Sequence, residues 1–154
     1  MKLLSANVFG INAREKSDYF VNIARNYDIS FFQETKLTNT AVQFLKLKIG
    51  NQYFIEASCA DTARRGVVTI IKNSLISQIV RTDICERGQY VIITLKIGGI
   101  NYTLVNVYGD PDTDAHALQT FTRLREVLME LQAIHDPLFA VSYTHLTLPT
   151  SNDV

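Results

Sequence analysis

The sequence predicts an α/β domain, of α+β type, built on mixed β-sheets. Three features carry this: a strand–helix–strand run at the start, a two-glycine hairpin in the middle, and an amphipathic helix after it. Ile29 to Phe32 is an unbroken apolar run, as expected of a strand buried on both faces. Leu3 to Val8 has the same character, ends around Asn7 and breaks at Gly10. Between them Tyr19, Phe20, Ile23, Ala24 and Tyr27 recur at helical spacing. Short links around one helix imply a right-handed crossover and two parallel strands. Parallel strands finish at the same sheet edge, so Asn7 and Glu34 are expected side by side. Open α/β sheets place ligands at that edge.

The remaining elements follow in order. Residues 40–49 read as a short helix with Val42, Leu45 and Ile49 on one face. Tyr53 to Ala57 is a strand, and so is Gly66 to Lys72, which is rich in β-branched residues. Gly98-Gly99 between Tyr90–Ile97 and Ile100–Val107 is a hairpin with a glycine turn. Leu118, Phe121, Leu124, Val127, Leu128 and Leu131 mark the amphipathic helix, with Asp114 as its N-cap. "PLFAV", opening at Pro137, has the form of one more buried strand.

Composition bounds the function. Hydrophobic residues make up 47% and charged residues 19%, which excludes a disordered chain. The formal net charge is zero, so no overall basic excess points to nucleic acid, although a local patch can serve. Cys59 and Cys85 are too few for a disulfide scaffold, and each reads as a small buried hydrophobe. No secretory signal or membrane-length apolar run is present, so an intracellular, reducing compartment is expected, with no membrane and no obligate protein partner. His116 and His135 lack metal-ligand spacing.

An amide beside a carboxylate at a sheet edge can orient and ligate a hard cation such as Mg²⁺. The pairing of "SANVFG" with "FFQETKL" resembles the endonuclease/exonuclease/phosphatase family, whose fold is that of DNase I. "RRGVVTIIKNSL" resembles that family's glycine-led strand, and "ERGQYVIITLKIGGINYTLVNVYGDP" its long hairpin ending in Asn-x-Tyr. Order and spacing are most similar to the endonuclease domain of non-LTR retrotransposons. The resemblance implies a four-layer sandwich of mixed sheets flanked by helices, and a Mg²⁺-dependent phosphodiesterase, with Mn²⁺ as a substitute, that nicks DNA. It implies Glu34 and Asn7 at the metal, and Asn7, Glu34 and Tyr108 as catalytic residues, the Tyr108 hydroxyl lying near the scissile phosphate. It also implies a nuclear setting if the protein is a mobile-element endonuclease. Lys36, Arg64, Arg65 and Arg87 lie in loops that can face phosphates; the alternative is solvated surface charge. Asn106 is assigned a structural role, on the ground that alternate strand positions face opposite sides. Two other readings stay open: an inositol-phosphate phosphatase or sphingomyelinase of the same fold, and a truncated open reading frame with no selected function.

The sequence departs from the family's pattern in several places. Gly109-Asp110-Pro111 follows Tyr108 where relatives carry Ala-Pro-Asn, and Phe9 stands where some relatives carry a polar residue. The family's Gly-Asp-x-Asn and Ser-Asp-His motifs are absent, so the chain alone is expected to be inactive. Residues 141–150, "VSYTHLTLPT", resemble a translated transposase-type sequencing adapter. The expected division is therefore 2–140 as the N-terminal part of the family domain and 141–154 as a non-native tail, including His145. On that division the tail is expected to be loosely placed from Ser142, and one inner sheet face to be exposed and aggregation-prone.

Overall fold

The computed structural model describes residues 1–60, 64–109, 115–133 and 138–144. Two four-stranded sheets face each other. The first contains β1 (Leu3–Asn7), β2 (Ile29–Gln33), β3 (Tyr53–Ser58) and β4 (Val67–Lys72), in the order β1-β2-β4-β3. Helix α1 (Arg14–Ala24) makes the crossover from β1 to β2, which pair in parallel with Asn7 opposite Gln33. Helix α2 (Asn39–Ile49) leads to β3, and β4 lies antiparallel between β2 and β3. The second sheet runs β5 (Ile79–Ile84), β6 (Tyr90–Ile97), β7 (Ile100–Gly109) and β8 (Leu138–Thr144), in that order. β5, β6 and β7 are antiparallel neighbours, whereas β8 joins β7 in parallel after helix α3 (Ala115–Ala133).

Strand alternation sorts the apolar residues into three packed layers. Phe32, Val68 and Ile70 of the first sheet meet Val21 and Ala24 of α1 and Val42, Leu45 and Ile49 of α2. Between the sheets, Ile29, Phe31, Val67 and Ile71 pack on Val91, Ile93, Leu95, Leu104 and Tyr108. On the far side, Ile92, Val105 and Val107 take Leu124, Val127 and Leu131 of α3. The result is helix, sheet, sheet, helix. Each fully buried Ile, Leu or Phe in these layers contributes about 1.5–3 kcal/mol.

Most of the expected elements are present, with corrections. The 3₁₀ turn Asn73–Gln78 and strand β5 were not predicted. β5 has only two half-buried residues, Ile79 and Asp83, so it carries no clear alternation. Tyr19 is 60% exposed and Leu118 71% exposed, so neither lies on its helix's buried face. Thr38, not a residue within 40–49, starts α2: its hydroxyl accepts from Ala41 N at 3.3 Å. The Gly98-Gly99 turn has φ of +58° and +84°, the left-handed pair that a tight hairpin requires. Both cysteines are free and buried. Asp114 and His135 lie outside the described residues, as does the placement of the His116 side chain.

Two larger expectations are overturned. The inner face of the first sheet is not exposed, because this chain itself supplies the opposing sheet. Nor is the chain loosely placed from Ser142: β8 runs on, pairing Ser142, Tyr143 and Thr144 with Val107, Tyr108 and Gly109. A parallel ladder uses backbone groups that any non-proline residue supplies, so composition alone does not end it. Residues 145–154 lie outside the described residues. Among the described residues, no helix is long and apolar enough to cross a membrane.

Candidate active site

The site grows from the shared ends of β1 and β2. Past Asn7 the two segments stay zipped together: Val8 N, Gly10 N and Ile11 N donate to the carbonyls of Gln33, Glu34 and Thr35 at 3.0, 2.7 and 3.0 Å. The turn leading into β4 joins them, because Thr35 N and Lys36 N donate to Gly66 O and Arg65 O at 2.9 and 2.7 Å. The turn leading into β6 comes next, with Gly66 N donating to Gly88 O at 2.9 Å. Four chain segments thus lie side by side at one end of the sandwich. All four non-glycine residues with positive φ among those described sit here: Phe9 (+48°), Glu34 (+56°), Lys36 (+55°) and Arg65 (+58°). Such backbone is uncommon outside glycine and gathers at functional sites.

Glu34 is 7% exposed. Its Oε2 accepts from Asn7 Nδ2 at 3.1 Å, and its Oε1 meets Lys36 Nζ at 3.0 Å. Asn7 Oδ1 accepts in turn from Phe9 N at 3.0 Å. Asn7 therefore orients the carboxylate through its amide group while its oxygen holds the following turn. The donor set fits a hard cation: a nearly buried carboxylate oxygen already faces a cationic group, the Lys36 ammonium. Among the described residues no group of three or more His, Cys, Asp or Glu is gathered that could hold a metal ion.

The other expected site residues divide. Lys36 and Arg65 are adjacent through their backbones, with Arg64 exposed beside them. Arg87, next to Gly88 on the turn leading into β6, also lines a cleft of about 590 Å³ between the β5–β6 corner and α3, together with Asp83, Tyr90 and Arg123. Burial is the main cause raising the Tyr90 hydroxyl pKa there. Tyr108 is 7% exposed and packs in the layer between the sheets, its N–H donating to Gln89 O at 2.8 Å.

Sequence reasoning missed the polar seam inside that layer. Gln33 Nε2 donates to Asn106 Oδ1 at 2.8 Å, and Asn106 Nδ2 donates to Val68 O at 3.0 Å and Thr69 Oγ1 at 3.2 Å. Ser5 Oγ lies 3.3 Å from Gln33 Nε2. Asn106 is thus structural, but the ground given for that role is corrected: Asn106 and Tyr108 are two residues apart and share the inner face. Gln33 and Asn106 tie one sheet to the other just below Glu34. The available signal was a glutamine closing an apolar strand run, since a buried amide must find partners. Thr35 Oγ1 and the Gln89 amide are also buried near this end, with no protein partner among the described residues.

The family model for endonuclease/exonuclease/phosphatase proteins matches residues 4–141, and the chain belongs to that family. No curated protein matches it. Solved structures share its DNase I-like fold. The Xenopus laevis APE2 catalytic domain superposes with a TM-score of 0.66 at 18% identity, over 92% of this chain and 57% of that one. AP endonuclease LMAP from Leishmania major gives 0.55 at 19% identity, over 80% and 42%. D. rerio TDP2, complexed with a single-strand DNA product, gives 0.60 at 16% identity, over 96% and 61%. The chain therefore spans less than two thirds of each of these structures.

Proposed function

We propose that this chain carries the Glu34 portion of a metal-dependent phosphodiesterase site that acts on DNA, in the manner of a DNA-nicking endonuclease. The observation that carries the reading is the Asn7–Glu34–Lys36 cluster on left-handed backbone at the strand ends. Glu34 would hold Mg²⁺ or Mn²⁺, with Asn7 fixing the carboxylate's orientation. Such an ion, when bound, polarises a phosphoryl oxygen and stabilises the charge that develops on it. Lys36, Arg64 and Arg65, and Arg87 on the neighbouring turn, are the cations that would grip a phosphate backbone. Tyr108 would act through its hydroxyl near the scissile phosphate, as the family resemblance implies.

The family's general base and its remaining carboxylates come from motifs this sequence does not contain, so the chain alone is expected not to nick supercoiled DNA. Motif order and spacing favour kinship with non-LTR retrotransposon endonucleases, which would place the protein in a nucleus. Residues 2–140 are read as family domain. The adapter reading of 141–154 rests on the wording of residues 141–150 and is opposed by the pairing of residues 142–144 in β8. Sequencing the locus beyond codon 140 decides between them.

The function is tested by supplying the missing motifs downstream and measuring Mg²⁺-dependent nicking. Activity that survives EDTA overturns the metal assignment. A preference for inositol phosphates over DNA moves the protein to another branch of the family. Nicking by the present chain above a Glu34→Ala control shows that the catalytic groups lie elsewhere.

A further inference from the structure

Phe9 is the residue at this end that the proposed chemistry leaves unused. It lies two positions after Asn7 and is 56% exposed. Its backbone is left-handed, with φ of +48°, a conformation that a bulky residue rarely adopts. Asn7 holds it there, since Phe9 N donates to the same side chain that orients Glu34. Gly10 next to it is clamped by the Glu34 carbonyl at 2.7 Å and covered by the Lys36 stem, which would lie 3.2 Å from a Cβ at that glycine. The Phe9 backbone is therefore held at the surface two residues from Asn7, with Gly10 under the Lys36 stem and Arg64 and Arg65 on the adjoining turn.

We propose that Phe9 is a stacking platform for a nucleobase of the bound DNA strand and sets this site's preference for strands that carry an unstacked base. The inference rests on the DNA reading above and deepens it. An aromatic face alone has no claim on nucleic acid. An exposed aromatic on constrained backbone, in the same cluster of turns as Lys36, Arg64 and Arg65, has both components of single-strand recognition, because bases stack on the ring while phosphates meet the cations. A polar residue at this position would leave the cations and remove the base contact.

The test is fluorescence anisotropy on the whole chain with two labelled single strands of equal length, one of thymidines and one of abasic sugar-phosphate units. The unsubstituted chain is expected to prefer the thymidine strand by about tenfold. Phe9→Ala is expected to bring that ratio close to one with abasic-strand binding unchanged, and Phe9→Trp to keep it. Lys36→Ala is expected to weaken both strands equally. A thymidine preference that persists in a folded Phe9→Ala variant, or is lost in Phe9→Trp, overturns the stacking role while the DNA reading stands. Failure of the unsubstituted chain to bind either strand overturns the DNA reading and the role of Phe9 with it.

Discussion

The first sheet holds a carboxylate–lysine pair at each end, and the two pairs differ in what surrounds them. At one end Asp28 accepts from Lys2 N at 2.6 Å and pairs with Lys72 Nζ at 3.1 Å. At the other Glu34 accepts from Asn7 Nδ2 at 3.1 Å and pairs with Lys36 Nζ at 3.0 Å. The two lysine contacts are nearly the same length. The Asp28 side chain is 28% exposed, however, against 9% for Glu34, and no left-handed non-glycine residue adjoins it. An ion pair by itself is therefore no sign of a site. What separates the two ends is a carboxylate withdrawn from water on backbone that costs about 1–3 kcal/mol per residue to hold. That cost is offset by the three apolar layers beneath, and it is maintained only where the surrounding turns leave the chain no alternative.

The largest test of this difference is a methyl group. A Cβ on Gly66, whose φ is +97°, would lie 2.6 Å from Thr35 Oγ1 and 3.4 Å from Lys36 N. Gly50 also has positive φ, +81°, but open space around it. Gly66→Ala is expected to cost roughly 3 kcal/mol in urea unfolding, against about 1 kcal/mol for Gly50→Ala. Equal losses would show that the turns at the Glu34 end are not packed as tightly as the contacts state.

The next effect concerns how the two sheets keep the site in register. Asn106→Leu keeps the volume but leaves the Gln33 amide and the Val68 carbonyl without this partner. The expected loss is about 2–3 kcal/mol, since both groups are buried. Gln33→Leu should cost a similar amount, and the double variant distinctly less than the sum, because two apolar groups then face each other. Full additivity would mean that Gln33 and Asn106 do not act as a pair.

These residues also mark where the sequence stopped being readable. Periodicity located β1, β2, β4, the hairpin and the buried face of α2, because each has a run of apolar residues at one period. The parallel pairing of β1 with β2 then placed Asn7 beside Glu34 with no further information. β5 was invisible because its sequence, IVRTDI, is mostly exposed and lacks alternation. The four left-handed residues were invisible because Phe, Glu, Lys and Arg carry no local signal for that conformation; neighbouring turns impose it. The Gln33–Asn106 bond joins residues 73 positions apart, so it depends on how two sheets stack, which no local pattern encodes.

A smaller effect separates the two lysines. Under the proposed function, a cation at Glu34 competes with the Lys36 ammonium for Oε1, whereas Lys72 is paired at the far end of the sheet. Lys36→Met is expected to tighten Mn²⁺ binding about fivefold, read by electron paramagnetic resonance of the free ion. Lys72→Met should leave it unchanged, and Glu34→Gln should abolish it. Equal behaviour of the two lysine variants would remove the distinction between the ends as far as metal is concerned.

The smallest effect is a pH dependence, and its sign follows from the Asp28 contacts. The Lys2 N–H bond first, then the Lys72 hydrogen bond, hold the Asp28 carboxyl below the usual aspartate value. A carboxylate depressed in the folded state adds stability at pH values above its unfolded value of about 3.9, and that stability is lost as pH falls through the folded value. Asp28→Asn should therefore be less stable than the parent at neutral pH, by under about 1 kcal/mol for so exposed a pair, and the two should converge as pH falls to roughly 2. Glu56 supplies the opposite sign. Burial raises its carboxyl pKa against a smaller lowering by Lys46, so its ionised form burdens the fold. Glu56→Gln should gain stability at neutral pH and show no gain once pH falls below the ordinary glutamate value of about 4.3. Chemical unfolding at several pH values gives both slopes. If the Asp28→Asn gap stays constant across that range, the contacts with Lys2 and Lys72 do not act through charge, and the Asp28 end is held by packing alone.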